Sequence, residues 1–483
     1  MSQTTAELIQ IIEAGAKSAM SLEQIIKIQI DEWLHSTERQ WMITGQRYYI
    51  SDHDILQRKR TVIGEGGELV EVTNLANNKL VHAFVRKLVD QKVGYLLGKP
   101  LTIQTENAAY LDLLNDIFNK SFLRLLKNLG KEAVNKGKAW LHVYYNEEGQ
   151  LSFKKIPSEE IIPLWRDAAH TELDAAIRVY DVEAYEGTTK KIITKVEFWD
   201  TSGVRRYVLS EGGLIPDVEA GEFGSHFTAI QDGQEQGFNW ERVPFVCFKY
   251  NDEEIPLVQV IKSLVDDYDV KTSDNSNNLE DLPNSIYVVR NYDGQDLGEF
   301  RRNLSVYRAV KVTDDGGVDT LSLEINVEAF RTHIEQLRKD IYEFGRGVLF
   351  DIDRVKSAPS GVALKFLYAD LDMDCNIIET EFQAALEQLL WFINTHLTNT
   401  GVGDFSNETV EFIFNRDIII SESDVISDIR NSVGILSEET LIANHPFVTD
   451  VQAELERIRR ERNTDMVQFG HLGQQPQGGG EQA

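Results

Sequence analysis

Three observations along the chain predict an α+β fold. Apolar residues at helical spacing fill residues 1–45 and 74–135. Short β-rich runs separated by turn residues fill 139–250, and long helical patterns return after residue 255. Blocks of helix and strand that are segregated in this way point to an antiparallel β region on a helical layer.

The elements follow in order. Leu8, Ile11 and Ile12, then Ile25, Ile26, Ile28 and Ile30, mark the first helical stretch. Residues 48–72 are mixed, with Gly64, Gly66 and Gly67 signalling a loop. Leu80, Phe84, Leu88 and Leu96 predict a helix over 74–98, and a continuous apolar face predicts another over 110–135. Strands are predicted at 139–145, 151–156, 176–182, 191–200, 205–209 and 245–250, separated by Glu148-Gly149, Ser202-Gly203 and Gly212-Gly213.

Ile255, Val258, Ile261, Leu264, Val265 and Tyr268 share one face of a helix predicted to run to Leu279. A small module follows at 283–325. It holds β-rich runs at 286–290, 309–312 and 320–325, a helical piece near 299–304 and the turn Asp314-Asp-Gly-Gly317. The module sits between two helices, so its ends lie together if those helices run side by side. In the second helix Val327, Phe330, Ile334, Leu337, Ile341 and Phe344 recur at alternating steps of three and four, a narrow apolar seam flanked by charge. Two readings are open: a helix that packs beside copies of itself, or an ordinary helical hairpin within one domain.

Gly345 and Gly347 end that pattern. A charged loop follows, with Phe350, Asp351, Asp353, Arg354, Lys356 and Ser357. Ser360 is placed to cap a long helix over about 361–398. A strand is predicted at 409–414 and three short helices at 424–433, 438–443 and 450–462. The last carries Arg457, Arg459, Arg460 and Arg462 near its C-terminal end, where they suit the helix dipole on a solvated face. Residues 473–483 are Gln, Gly and Pro with almost no apolar content, which predicts disorder.

Composition excludes several classes. Over 483 residues, 49 Lys and Arg stand against 78 Asp and Glu, a net charge of −29. Proteins that wrap nucleic acid tightly carry a basic excess, whereas an acidic wall repels a passing polyanion. Cys247 and Cys375 lie among apolar neighbours and read as buried thiols of a reducing compartment. No basic n-region precedes an apolar run and no stretch is long enough for a membrane span, so a soluble protein made in a cytoplasm is expected.

No catalytic, metal or cofactor site is predicted. Gly94-Tyr-Leu-Leu-Gly98-Lys99-Pro100 is one residue too short for a phosphate loop and has Pro100 where the magnesium-binding hydroxyl belongs. Asp370, Asp372 and Asp374 point in different directions on a helix, and a solvated or interfacial face is expected for them, as for Asp266, Asp267 and Asp269. The histidines show no metal-binding spacing.

The order of helix, inserted β module, helix, charged loop and long helix resembles that of portal proteins of tailed bacteriophages. The local sequence is similar to the branch from long-tailed phages of Gram-positive bacteria. The stretches that carry this are 77–81 through 94–100, Asn275-Ser-Asn-Asn-Leu-Glu-Asp-Leu282, 294–303 and Ser360-Gly-Val-Ala-Leu-Lys365. The resemblance implies a portal-type fold with a helical and β-rich wing, a two-helix stem, an inserted small α/β clip and a helical crown. Residues 1–254 would be the N-terminal region and wing, 255–281 and 326–347 the stem helices, and 282–325 the clip. Residues 348–360 would be a tunnel loop, 361–423 the long helix and a wing return strand, 424–465 the crown and 466–483 a disordered tail.

The resemblance further implies a ring of about twelve copies at one capsid vertex, with double-stranded DNA passing through it. Arg290, Arg301, Arg302, Asp314 and Asp315 of the clip would dock the terminase large subunit and then a head-completion adaptor. Major capsid and scaffolding proteins would be further partners, and no membrane is involved. Arg354 and Lys356 would either face DNA or pair with Asp351 and Asp353. A metal-dependent nuclease and another capsid or scaffold component are the two other classes that the residues leave open.

Overall fold

The computed structural model describes residues 21–472 apart from 64–66, 74, 232–233, 281–284, 291–297, 299–315, 323–326, 350–365, 417–421 and 449–450. The chain is α+β. Helices α1 (Leu22–His35) and α2 (Thr37–Tyr49) open it. Ser36 splits the predicted single stretch: its hydroxyl donates to the Trp33 carbonyl at the end of α1 and accepts from the Arg39 amide at the start of α2. A two-stranded hairpin, β1 (Thr61–Ile63) and β2 (Leu69–Glu71), follows, then α3 (Phe84–Leu97), β3 (Thr102–Gln104), α4 (Ala108–Ile117) and α5 (Lys120–Lys136). Asn119 caps α5 through the Ser121 and Phe122 amides, so the predicted continuous helix over 110–135 is two.

The β region comprises β4 (Lys138–Tyr145), β5 (Leu151–Ile156), β6 (Ile161–Trp165), β7 (Leu173–Glu186), β8 (Thr189–Asp200), β9 (Gly203–Ser210), β10 (Gly213–Pro216), β11 (Phe223–Gly224), β12 (Phe227–Gln231), β13 (Gln234–Phe238) and β14 (Phe245–Lys249). Strands β6 to β10 form an antiparallel meander ordered β10-β9-β8-β7-β6, with β11 also on β9. A second sheet is ordered β14-β4-β5. Period-two alternation sets what each face covers. Ile162, Leu164, Ile177, Val196 and Phe198 face α1 through Ile26, Ile30 and Trp33. Their neighbours Ile161, Trp165, Ala176 and Trp199 face the second sheet through Trp140, Phe245 and Cys247.

Helix α6 (Leu257–Glu280) leads to strands β15 (Ser285–Arg290) and β16 (Gly317–Ser322), which pair antiparallel. Then come α7 (Val327–Phe344), α8 (Ala369–Asn399), β17 (Glu411–Ile413), α9 (Glu422–Asn431), α10 (Glu438–Ala443) and α11 (Val451–Leu472). Strand β17 pairs with β3, Phe412 opposite Ile103, so the chain's last third closes onto its first. The main core joins α3, α4, α5, α6 and α8 to β4 and β14, around Leu88, Tyr110, Leu126, Phe248, Ile261, Ile341, Phe382 and Phe392. Both cysteines are buried and free. No helix among the described residues is long and apolar enough to cross a membrane.

One predicted helix is not a helix at its start. Residues 75–83 are irregular and run along α6 before α3 begins at Phe84. The reason lies in the side chains of α6. The amide of Asn78 donates to Asn277 Oδ1 at 2.6 Å, that of Leu80 to Ser273 Oγ at 2.9 Å and that of His82 to Asp269 Oδ1 at 3.0 Å. Two residues of extended chain advance about 6.6 Å and four helical residues about 6 Å, so alternate amides meet every fourth side chain. Helical geometry would forfeit these bonds.

Candidate functional site

The helix pair α6–α7 and the residues that follow it form the region where the sequence placed most of its candidates. The pair is fixed at two levels. His333 Nε2 lies 3.1 Å from Asp267 Oδ2, and Gly345, just beyond α7, lies against Ile261 near the start of α6. The helices therefore run antiparallel, and the hairpin β15–β16 bridges their far ends.

The apolar seam of α7 is only half covered. Leu337 and Ile341 are buried, and Ile341 joins the main core. Phe330 and Ile334 are half-buried. Val327 is 69% exposed and Phe344 57% exposed. A helix packed only within its own chain would cover the whole stripe.

The end of α7 is locked by two neighbouring helices. The Gln91 side-chain amide of α3 donates to the Val348 carbonyl at 3.0 Å and accepts from the Val348 amide at 2.9 Å. Lys92, fully buried, donates to the Arg346 carbonyl at 3.1 Å and to Asp374 Oδ2 of α8 at 2.6 Å. Asp374 also accepts from the Tyr250 hydroxyl at 2.8 Å and lies 3.4 Å from Arg346 Nη1. Burial pulls the Lys92 ammonium below its ordinary pKa although Asp374 opposes this, and burial beside Asp374 pushes the Tyr250 hydroxyl well above its own. Arg346 adopts a left-handed backbone, φ 48°. Gly347 packs so closely on Leu88 that an added Cβ would lie 2.1 Å from it.

A second buried constellation holds α6 to the N-terminal segment. Asp269 accepts from His53 Nδ1 at 2.6 Å and from His82 Nδ1 at 2.8 Å, besides the His82 amide. The His53 ring stacks on Tyr48 at 4.3 Å. So Asp269 and Asp374, expected on solvated or interfacial faces, are buried. Their partners include His82, 187 residues from Asp269, and Lys92, 282 residues from Asp374, pairings that helical spacing does not reveal. Asp372 is half exposed and bonded to Tyr95 and Arg416.

Of the tunnel-loop candidates, Phe350, Asp351, Asp353, Arg354, Lys356 and Ser357 lie outside the described residues, as do Arg301, Arg302, Asp314 and Asp315 of the small module. Arg290 ends β15 opposite Gly317. Gln91, Lys92 and Arg346 were not singled out by sequence reasoning. One signal was available: Lys92 sits four residues from both Leu88 and Leu96 on the apolar stripe of α3, where a cation needs a buried partner. Gly98-Lys99-Pro100 follows α3 instead of opening a helix, so its amides cannot cradle a phosphate. Among the described residues no group of three or more His, Cys, Asp or Glu side chains is placed to hold a metal.

Known proteins resolve what this helix pair belongs to. The family model for phage portal proteins of the SPP1 Gp6-like type matches residues 32–468. The portal protein of Bacillus phage SPP1 is 33% identical over 472 residues, which cover 97% of this chain and 92% of that protein. The portal protein of Clostridium phage phiCD119 is 32% identical over 442 residues, covering 88% of this chain and 93% of its own. Proteins of this kind are structural components of the virion and not enzymes, which removes the nuclease alternative. The chain belongs to the SPP1 Gp6-like family of phage portal proteins.

Proposed function

We propose that about twelve copies of this chain close into a ring at one capsid vertex, and that double-stranded DNA is packaged and later ejected through the channel. The observation that carries this reading is the half-covered seam of α7, in a chain that matches the portal family along almost its whole length. Helices α6 and α7 are the stem, and a copy beside them supplies the missing cover. The β-rich layers with α8 and β17 are the wing, α9 to α11 the crown, and residues 348–360 the tunnel loop. At −29 per copy the ring carries a net charge on the order of −350, so DNA finds few counterion-releasing contacts and slides. Arg354 and Lys356 provide local phosphate contacts in the loop.

The hairpin β15–β16, at the far end of the stem, belongs to the clip. In this reading Arg290, Arg301, Arg302, Asp314 and Asp315 dock the terminase large subunit and afterwards the head-completion adaptor. Electron micrographs and native mass spectra of the purified protein test the reading. Closed rings with a central channel are expected; only monomers and dimers at micromolar concentration would overturn it. Within such rings, R301E/R302E is expected to abolish capture of the motor and adaptor, and R354A/K356A to assemble normally but package or retain DNA poorly.

A further inference from the structure

Among the described residues, large apolar side chains of the hairpin β1–β2 stand open to solvent. Its register places Ile63 opposite Leu69, with Val70 on the other face, so apolar residues occupy both faces. Ile63 is 77% exposed, Leu69 73% and Val70, on the opposite face, 42%. A two-stranded sheet standing alone in water is marginal, and an exposed apolar pair across it marks a contact surface. Its base is held firmly. Arg58 pairs with Asp274 of α6 at 2.8 Å, Lys79 donates to the Leu56 carbonyl at 2.7 Å, and Lys59 pairs with Glu71 at 2.8 Å.

The anchoring point fixes where the hairpin stands. Asp274 lies seven residues beyond Asp267, about 10 Å along α6. Asp267 meets His333, and α7 runs the other way, so Asp274 is level with the N-terminal end of α7, beside Val327. That end carries Val327, which stands open, and Phe330 one turn further on, which is half-buried. The hairpin is thus anchored at the end of the helix pair where the α7 seam is most exposed, and Ile63, Leu69 and Val327 all stay open within the chain.

We infer that the β1–β2 hairpin of each subunit packs, through Ile63 and Leu69, on the first half of the α7 seam of the neighbouring subunit. The inference rests on the ring reading and names the contact that closes it. The occupant is a second copy of this chain. A polyanion would need cations on the hairpin, where the nearest, Arg60 and Lys59, are engaged by the Ala76 carbonyl and by Glu71. Such a contact is head-to-tail, two different surfaces meeting, which is the kind that closes rings.

Two variants of the full-length protein test it. I63K/L69K changes only exposed side chains, so its thermal unfolding as a dissociated subunit should match that of the parent. Its ring fraction in native mass spectra is expected to fall more than about tenfold, since leaving either apolar side chain's share of the seam unburied is enough for that factor. L69C/V327C, oxidised, is expected to give a ladder of covalent multimers, with little background because Cys247 and Cys375 are buried. Normal ring yield from I63K/L69K, or a cross-linked product that runs as monomer, would overturn the inference while the ring stands. Normal rings that fail to enter particles would assign the hairpin to another protein and overturn it equally. A parent protein that forms no rings at all would sink both this and the function above.

Discussion

At the residue scale a few charges are buried, and each is held by a partner. Lys92 and Asp374 illustrate the cost. Removing one member of a buried ion pair strands the other, so Lys92→Met is expected to destabilise the subunit by about 3–5 kcal/mol in thermal or denaturant unfolding. Pairing it with Asp374→Leu should recover part of that loss, because the stranded carboxylate is gone. Glu254 gives the matching pH effect. Burial alone would raise its pKa, but Lys138 and His170 bind its carboxylate and hold it far below the ordinary 4.5. Glu132 is likewise lowered, by Lys136 and Lys155 against the effect of burial. A carboxyl lowered on folding stabilises fully above its unfolded value and loses that contribution as pH falls toward the folded one. Stability should therefore hold down to about pH 4.5 and decline below it, and Glu254→Gln should flatten the decline. An acid melting curve with the same slope for both proteins would contradict this.

At the element scale, the extended segment on α6 and the close helix contacts are the features to perturb. Ser273→Ala removes the acceptor for the Leu80 amide and should cost about 1 kcal/mol, seen locally as faster hydrogen exchange at Leu80. Gly45→Ala places a Cβ 1.8 Å from the Asn135 carbonyl oxygen, where α2 and α5 touch, and should lower stability by about 1–3 kcal/mol or more. These elements also show what a sequence can disclose. Leu151–Ile156 was legible to the residue because a strand between two turn signals has few alternatives. The heptad of α7 was legible because its charged flanks leave one apolar stripe. Strands β7 and β8 run past their predicted ends because their exposed outer halves are held by the cross-strand ladder and by pairs such as Lys190 with Glu183, which composition does not mark. The helix predicted from 74 begins only at 84, because side chains on α6 outbid its own backbone for those amides. Periodicity reports which face is apolar; it does not report that half of the α7 stripe stays uncovered, or that Asp269 and Asp374 turn inward.

At the scale of the whole molecule, charge and topology act together. With a net charge of −29, the purified protein should not retard free duplex DNA at micromolar concentration in physiological salt; a shift that weakens steeply with added salt would count against the repelling wall. Topology sets a second constraint, in time. Lys92 finds Asp374 only across 282 residues of chain, and β3 finds β17 over a longer stretch still. At ribosomal speeds of about 5–20 residues per second, the early helices wait roughly 15 to 60 seconds for the partners that bury them. Throughout that interval a lone lysine and an unpaired strand edge stay open to other nascent chains on the same message. The acidic excess spread along the sequence keeps such neighbours apart until α8 emerges. In the proposed ring, the scaffold behind the apolar stripe that meets the neighbouring copy is thus completed only after α8 has been made.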